Sequence, residues 1–166
     1  MTWQEIINEP SLANLPYKIE TNQYGQVIMS PTVFLHGIYQ SRIGELLKHF
    51  LPHGMTSTET AVDTSKGTKV PDVVWFDFAF FELYHHVADL PVAPPICVEV
   101  ISKSNSIREI TRKRKLYFER SASEVWTCDL SGHVHFYDVN GELVHSSLAP
   151  KFPSKIELSN PTIAGT

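Results

Sequence analysis

Cysteine is scarce in this chain: 166 residues hold only Cys97 and Cys128. Both lie in apolar, strand-like runs without a CxxC pair, which excludes a disulfide framework or a zinc knuckle and leaves two buried free thiols. Long apolar runs are missing too. No stretch reaches the roughly 18 apolar residues needed to span a bilayer, and the N-terminus lacks the basic, apolar and small-residue order of a signal peptide. No membrane attachment and a cytoplasmic location are therefore expected. Positive charge is not in excess: 14 Lys and Arg stand against 18 Asp and Glu, a formal charge of -4. A polyanion would have to be held by a local patch. There is no GxSxG elbow, Walker loop or dinucleotide fingerprint, which counts against a hydrolase of that type, an ATPase and a Rossmann oxidoreductase. His85, His86, His133, His135 and His145 show no zinc-ligand spacing and read as surface histidines.

What is present suits one compact domain over residues 1–166, since 42% of the chain is hydrophobic. Residues 1–16, with a short helical candidate ending near Pro10, read as an N-terminal arm. Residues 17–30 form two short strands around Asn22-Gln23-Tyr24-Gly25. Over 32–50 the period becomes helical, with Tyr39, Ile43, Leu46, Leu47 and Phe50 on one arc and His36 on the same side. Strands follow at 55–62 and 68–76, separated by a polar turn at 63–67. The segment 77–95, rich in aromatics, histidine and proline, reads as a loop with at most one irregular helical turn. A buried strand at 96–101 leads through the N-cap-rich Ser102-Lys103-Ser104-Asn105-Ser106 into a helix over 107–120. Strands at 124–129 and 133–137 come next. Residues 143–148 and the proline-containing tail form an edge strand or wrap the surface. The order of elements predicts an α/β fold, a mixed sheet flanked by helices.

Two acids stand out against this apolar background. Asp72 and Glu99 each sit in a β-favouring hydrophobic run, where a carboxylate is costly unless paired or bound to a metal. Lys113 lies at the edge of the apolar arc of helix 107–120 and can reach back over the sheet. Two oxygen ligands and a cation suit magnesium or manganese, which need few protein ligands, and a metal-activated water for phosphodiester hydrolysis. The backbone carbonyl of Ile101, two residues beyond Glu99, is a third candidate ligand. The same residues also fit a plainer arrangement, with Asp72 and Glu99 paired to basic groups or capping backbone and Lys113 snorkelling. His36 is either a satisfied buried histidine or a group facing the site. Lys103, Arg108, Arg112, Arg114 and Lys115 are candidate nucleic-acid contacts, or the solvated face of a helix.

These pieces also occur in an order that resembles the Uma2 family, a widespread bacterial group assigned to the PD-(D/E)XK restriction-endonuclease-like fold. The resemblance runs through Ile19-Glu20, Gly25, Val27-Ile28-Met29-Ser30-Pro31 and His36-Gly37. It continues in Pro71-Asp72-Val73-Val74, Pro95-Ile96-Cys97-Val98-Glu99-Val100-Ile101-Ser102, Arg108-Glu109, Lys113, Tyr117, Glu124-Val125-Trp126 and Asp129. It implies Asp72 and Glu99 as metal ligands, Lys113 as the catalytic lysine, Glu20 as an auxiliary acid and His36 beside the same site. The fold often carries the lysine two residues after the second acid, where this chain has Ile101. Gln26 and Glu109 stand where the family often has an acid and an Asp, respectively.

The leading expectation is thus a magnesium-dependent DNA endonuclease, with manganese as substitute ion, acting as a homodimer. An unidentified protein partner is a further expectation, to offset the negative net charge in DNA binding. The alternative is a catalytically inactive nucleic-acid or protein-interaction module on the same fold, with Tyr84, His85, His86 and neighbouring aromatics as its contact surface.

Overall fold

The computed structural model describes residues 1–103 and 105–158; Ser104 of the cap-rich stretch and the end of the tail, 159–166, lie outside the described residues. The N-terminal segment carries a short helix α1 (Trp3–Ile7), whose Ile6 is buried. The strands β1 (Tyr17–Thr21) and β2 (Val27–Pro31) pair as an antiparallel hairpin. Helix α2 (Phe34–Phe50) leads to β3 (Gly54–Thr58). A second small hairpin, β4 (Val62–Thr64) and β5 (Gly67–Lys69), precedes β6 (Val73–Asp77). Then come α3 (Phe78–Tyr84), β7 (Ile96–Ile101), α4 (Ile107–Glu119), β8 (Glu124–Asp129), β9 (Val134–Asp138) and β10 (Gly141–Leu143).

The main sheet has six strands in the order β10-β9-β8-β7-β6-β3. Only β7 and β8 run parallel, joined by the α4 crossover, so the sheet is mixed and the fold is α/β, as expected from the order of elements. Helices cover both faces. Against one face α2 buries Tyr39, Ile43 and Leu47 on Val73, Trp75, Val98, Val100 and Trp126. On the other, Tyr117 of α4 packs with Val62, Val74, Cys97 and Val125. The two-residue period of β6 and β7 produces this division, because alternate side chains point to opposite faces.

Several expected elements are cut differently. The strand expected over 68–76 is two strands, interrupted by Val70-Pro71-Asp72. Proline cannot donate to a ladder, so pairing breaks there. Asp72 consequently sits in the turn entering β6, with its own N–H bonded to the Val98 carbonyl at 2.9 Å. The strand expected over 55–62 stops at Thr58, because Glu59 adopts a left-handed φ of 51°. Within 77–95 a seven-residue helix forms, capped by Asp77, which accepts from the Phe80 N–H at 2.8 Å. Beyond β10 the chain wraps the surface: the buried Glu124 carboxylate accepts from the Ser147 and Leu148 N–H groups at 2.7 and 3.0 Å, and further along a single antiparallel bridge joins Lys155 to His133. The N-cap of α4 is Ser106, whose hydroxyl accepts from Glu109 N–H. Among the described residues no helix is long and apolar enough to cross a membrane.

Candidate active site

The acids and lysines meet in one cavity of about 310 Å³ at the end of the sheet. Each side chain arrives from a different element. Lys18 and Glu20, two apart on β1, share a face and both point in. Strand β1 is held by its neighbours: Thr21 Oγ1 accepts from Thr68 N–H at 2.7 Å, and Glu20 Oε1 accepts from Val70 N–H at 2.9 Å. Gly67, at φ 89°, permits this approach, since a Cβ there would lie 2.5 Å from the Asn22 carbonyl oxygen. Asp72 comes from the turn before β6, Glu99 from β7, Lys113 and Tyr117 from successive turns of α4, and His36 and Gln40 from successive turns of α2.

Every carboxylate oxygen of the central pair faces a donor. Asp72 Oδ1 accepts from Lys18 Nζ at 2.6 Å, and Oδ2 accepts from Val100 N–H at 2.6 Å. His36 Nε2 lies 3.3 Å from the same Oδ2 and 3.1 Å from the Val100 carbonyl. Both are acceptors, so Nε2 carries the proton. Glu99 Oε1 accepts from the Tyr117 hydroxyl at 2.6 Å, while Oε2 lies 3.5 Å from Lys113 Nζ and 3.8 Å from Lys18 Nζ. Lys113 makes its shorter contact to Glu20 Oε1, at 2.7 Å.

Burial and charge pull these groups in opposite directions. Burial raises the Asp72 pKa, but Lys18 and His36 more than reverse it and hold the carboxyl at about 2. Glu99 goes the other way, because burial outweighs its lysine neighbours and raises it. Burial also disfavours the charged forms of Lys18 and Lys113, yet the surrounding carboxylates raise both. Lys113 is therefore an ammonium at neutral pH, suited to stabilising negative charge rather than to taking a proton.

Of the residues singled out in the sequence, Asp72, Glu99, Lys113, Glu20 and His36 converge here. Ile101 does not: it lines a separate cavity with Ile110, Arg114 and Thr127, and the carbonyl that faces His36 belongs to Val100. Adjacent strand residues point their carbonyls to opposite sides, so those of Val100 and Ile101 diverge. Lys103, Arg108, Arg112 and Lys115 are exposed. Arg114 is partly buried, its guanidinium 3.8 Å from the Tyr137 ring centroid, and stands apart from them. Glu109 lies at the cavity wall, whereas Gln26 closes the β1–β2 turn by accepting from Asn22. Tyr84 and His85 belong to another cavity, where His85 stacks on Phe81 at 5.1 Å. Sequence reasoning missed Lys18, although its place two residues before Glu20 puts both on one strand face. It gave Tyr117 no role at the site, where its hydroxyl donates to Glu99.

Magnesium and manganese prefer oxygen donors, and the Asp72 and Glu99 carboxylates with the Val100 carbonyl are of that kind. Their arrangement nevertheless does not fit a divalent ion. Lys18 Nζ lies between the two acids, and the remaining oxygens are engaged by Val100, His36, Tyr117 and Lys113. Among the described residues no group of three or more His, Cys, Asp and Glu side chains can hold a metal ion.

The structure is similar to a crystal structure from Anabaena variabilis ATCC 29413 described as "a putative nuclease belonging to DUF820", with a TM-score of 0.71 and 17% identity. The likeness covers 90% of this chain and 91% of that one, and it concerns the fold. No curated protein matches the chain. The family Uma2, described as "Putative restriction endonuclease", matches residues 8–157. With the mixed sheet and helices of a restriction-endonuclease-like fold in place, the chain belongs to the Uma2 family of the PD-(D/E)XK-like nuclease superfamily.

Proposed function

We propose that this chain is a nucleic-acid-binding module on the nuclease fold whose acidic pair is closed in the resting state. One observation carries the closed state: the Lys18 ammonium stands 2.6 Å from Asp72 and 3.8 Å from Glu99, where a hydrolase would hold its cation. Contact with a phosphate backbone falls to the exposed Lys103, Arg108, Arg112 and Lys115 on and before α4, a local patch on a chain of net negative charge. The test is binding of single- and double-stranded DNA in EDTA, followed by fluorescence anisotropy across a salt series. Charge reversal at Arg108, Arg112 and Lys115 is expected to weaken binding at least tenfold and flatten the salt slope. Equal binding by the reversed variant would remove this function from α4.

Metal-dependent phosphodiester hydrolysis, a DNA endonuclease working as a homodimer, is the second reading. It is favoured by the convergence of Lys113 on Glu99 and Glu20 in the same cavity, and it requires Lys18 to leave the acid pair. Cleavage of DNA in magnesium or manganese that disappears in each of Asp72→Ala, Glu99→Ala and Lys113→Ala would establish it. Cleavage surviving all three would refute it.

A further inference from the structure

Lys18 is no ordinary surface lysine. Its side chain is 14% exposed and faces two acids that are 1% and 5% exposed. Two carboxylates buried around one gap repel each other unless a cation stands between them. Lys18 Nζ supplies that cation, and its strand cannot easily withdraw, because Glu20 and Thr21 are tied to Val70 and Thr68 on the adjoining segment. The charges around the gap point the same way. Carboxylates from Glu20, Asp72 and Glu99 face the ammonium groups of Lys18 and Lys113, with His36 Nε2–H on Asp72 and the Glu59 carboxylate further out on the wall. A divalent ion entering with Lys18 in place would meet an ammonium at contact distance from the same two carboxylates. With Lys18 neutralised, the space between Asp72 and Glu99 would hold two buried carboxylates and no cation of its own.

We propose that Lys18 is the resident cation of the Asp72–Glu99 pair and excludes divalent metal from it, so that neutralising this one side chain creates a magnesium- or manganese-binding site. The inference deepens, and rests on, the closed-pocket function proposed above. Lys18 is a positioning residue here: it holds both carboxylates without touching a substrate.

The experiment is calorimetric titration of the full chain with manganese chloride, with electron paramagnetic resonance as an independent count of bound ion. Lys18→Met removes the charge and shortens the unbranched side chain by one atom; Lys18→Gln serves as a second neutral variant should the first not fold. Either is expected to bind one manganese ion at least tenfold more tightly than the wild type. Adding Glu99→Gln to the neutral variant should abolish the gain, which locates the ion. Lys18→Arg, still cationic, should bind as weakly as the wild type. Equal affinity of wild type and a folded neutral variant overturns the proposal. So does wild-type uptake of one ion at micromolar concentration that is lost in Glu99→Gln, an outcome that needs no Lys18 variant. DNA binding in EDTA is read separately. A metal gain without DNA binding retains the inference and defeats the proposed function, and DNA binding with no metal gain does the reverse.

Discussion

The two faces of the six-stranded sheet are built on different principles. Beyond the first turns of α2, which carry His36 and Gln40 to the cavity, its contacts are apolar: Leu47 is fully buried in a cluster with Val73, Val98 and Trp126. Beneath α4 the same sheet also carries Glu99, reached by Lys113 and Tyr117 and flanked by Glu20. The first face gains from removing hydrocarbon from water and asks little of direction. The second holds buried charges that tolerate their setting only while each keeps its partners, so its stability depends on geometry rather than on area.

The largest expected loss comes from breaking the charged face. Lys113→Met leaves Glu20 and Glu99 without their shared ammonium and should cost about 3–5 kcal/mol in urea denaturation. On the apolar face Leu47→Ala should cost about 2–5 kcal/mol by the same measurement, from lost transfer energy and the cavity left behind. If Lys113→Met costs clearly less than Leu47→Ala, the ion network is a burden that the core carries rather than a support.

Acid sharpens the comparison. The Asp72 carboxyl is held at about 2, below its ordinary 3.8. A carboxyl lowered on folding contributes stability above its unfolded pKa and loses it as pH falls through the folded value. The advantage of wild type over Asp72→Asn should therefore shrink by about 2 kcal/mol between about pH 4 and pH 2. A difference independent of pH would remove Asp72 from the network. The smallest effect belongs to the exposed pair Arg42–Glu45 on α2, 3.1 Å apart with side chains 42% and 63% exposed. Arg42→Ala should change stability by less than about 0.5 kcal/mol, because solvent and salt screen that pair.

Legibility followed the same division. The arc of Tyr39, Ile43 and Leu47 was readable because a helix repeats its buried positions locally, and the structure buries all three. The strand at 96–101 and the strand at 124–129 were readable for the same reason. The break at Val70-Pro71-Asp72 was harder: both sides of it are β-favouring, and only the loss of ladder pairing separates β5 from β6. Of the site, Asp72, Glu99 and Lys113 announced themselves as charges in costly surroundings. Lys18 did not, since a lysine in a half-buried strand near the N-terminus looks like any solvated side chain.

Periodicity and the placement of buried charge thus specify, from residue order alone, an α/β layering with two acids and a lysine bound to be near its core. Which cation stands between those acids was settled by packing. Lys18 is 54 residues from Asp72 in sequence, and no local pattern reports a distance that arises when a hairpin closes over the end of a sheet. Local propensities act over a few residues, whereas the balance of a buried charge cluster is the sum over every element that reaches it.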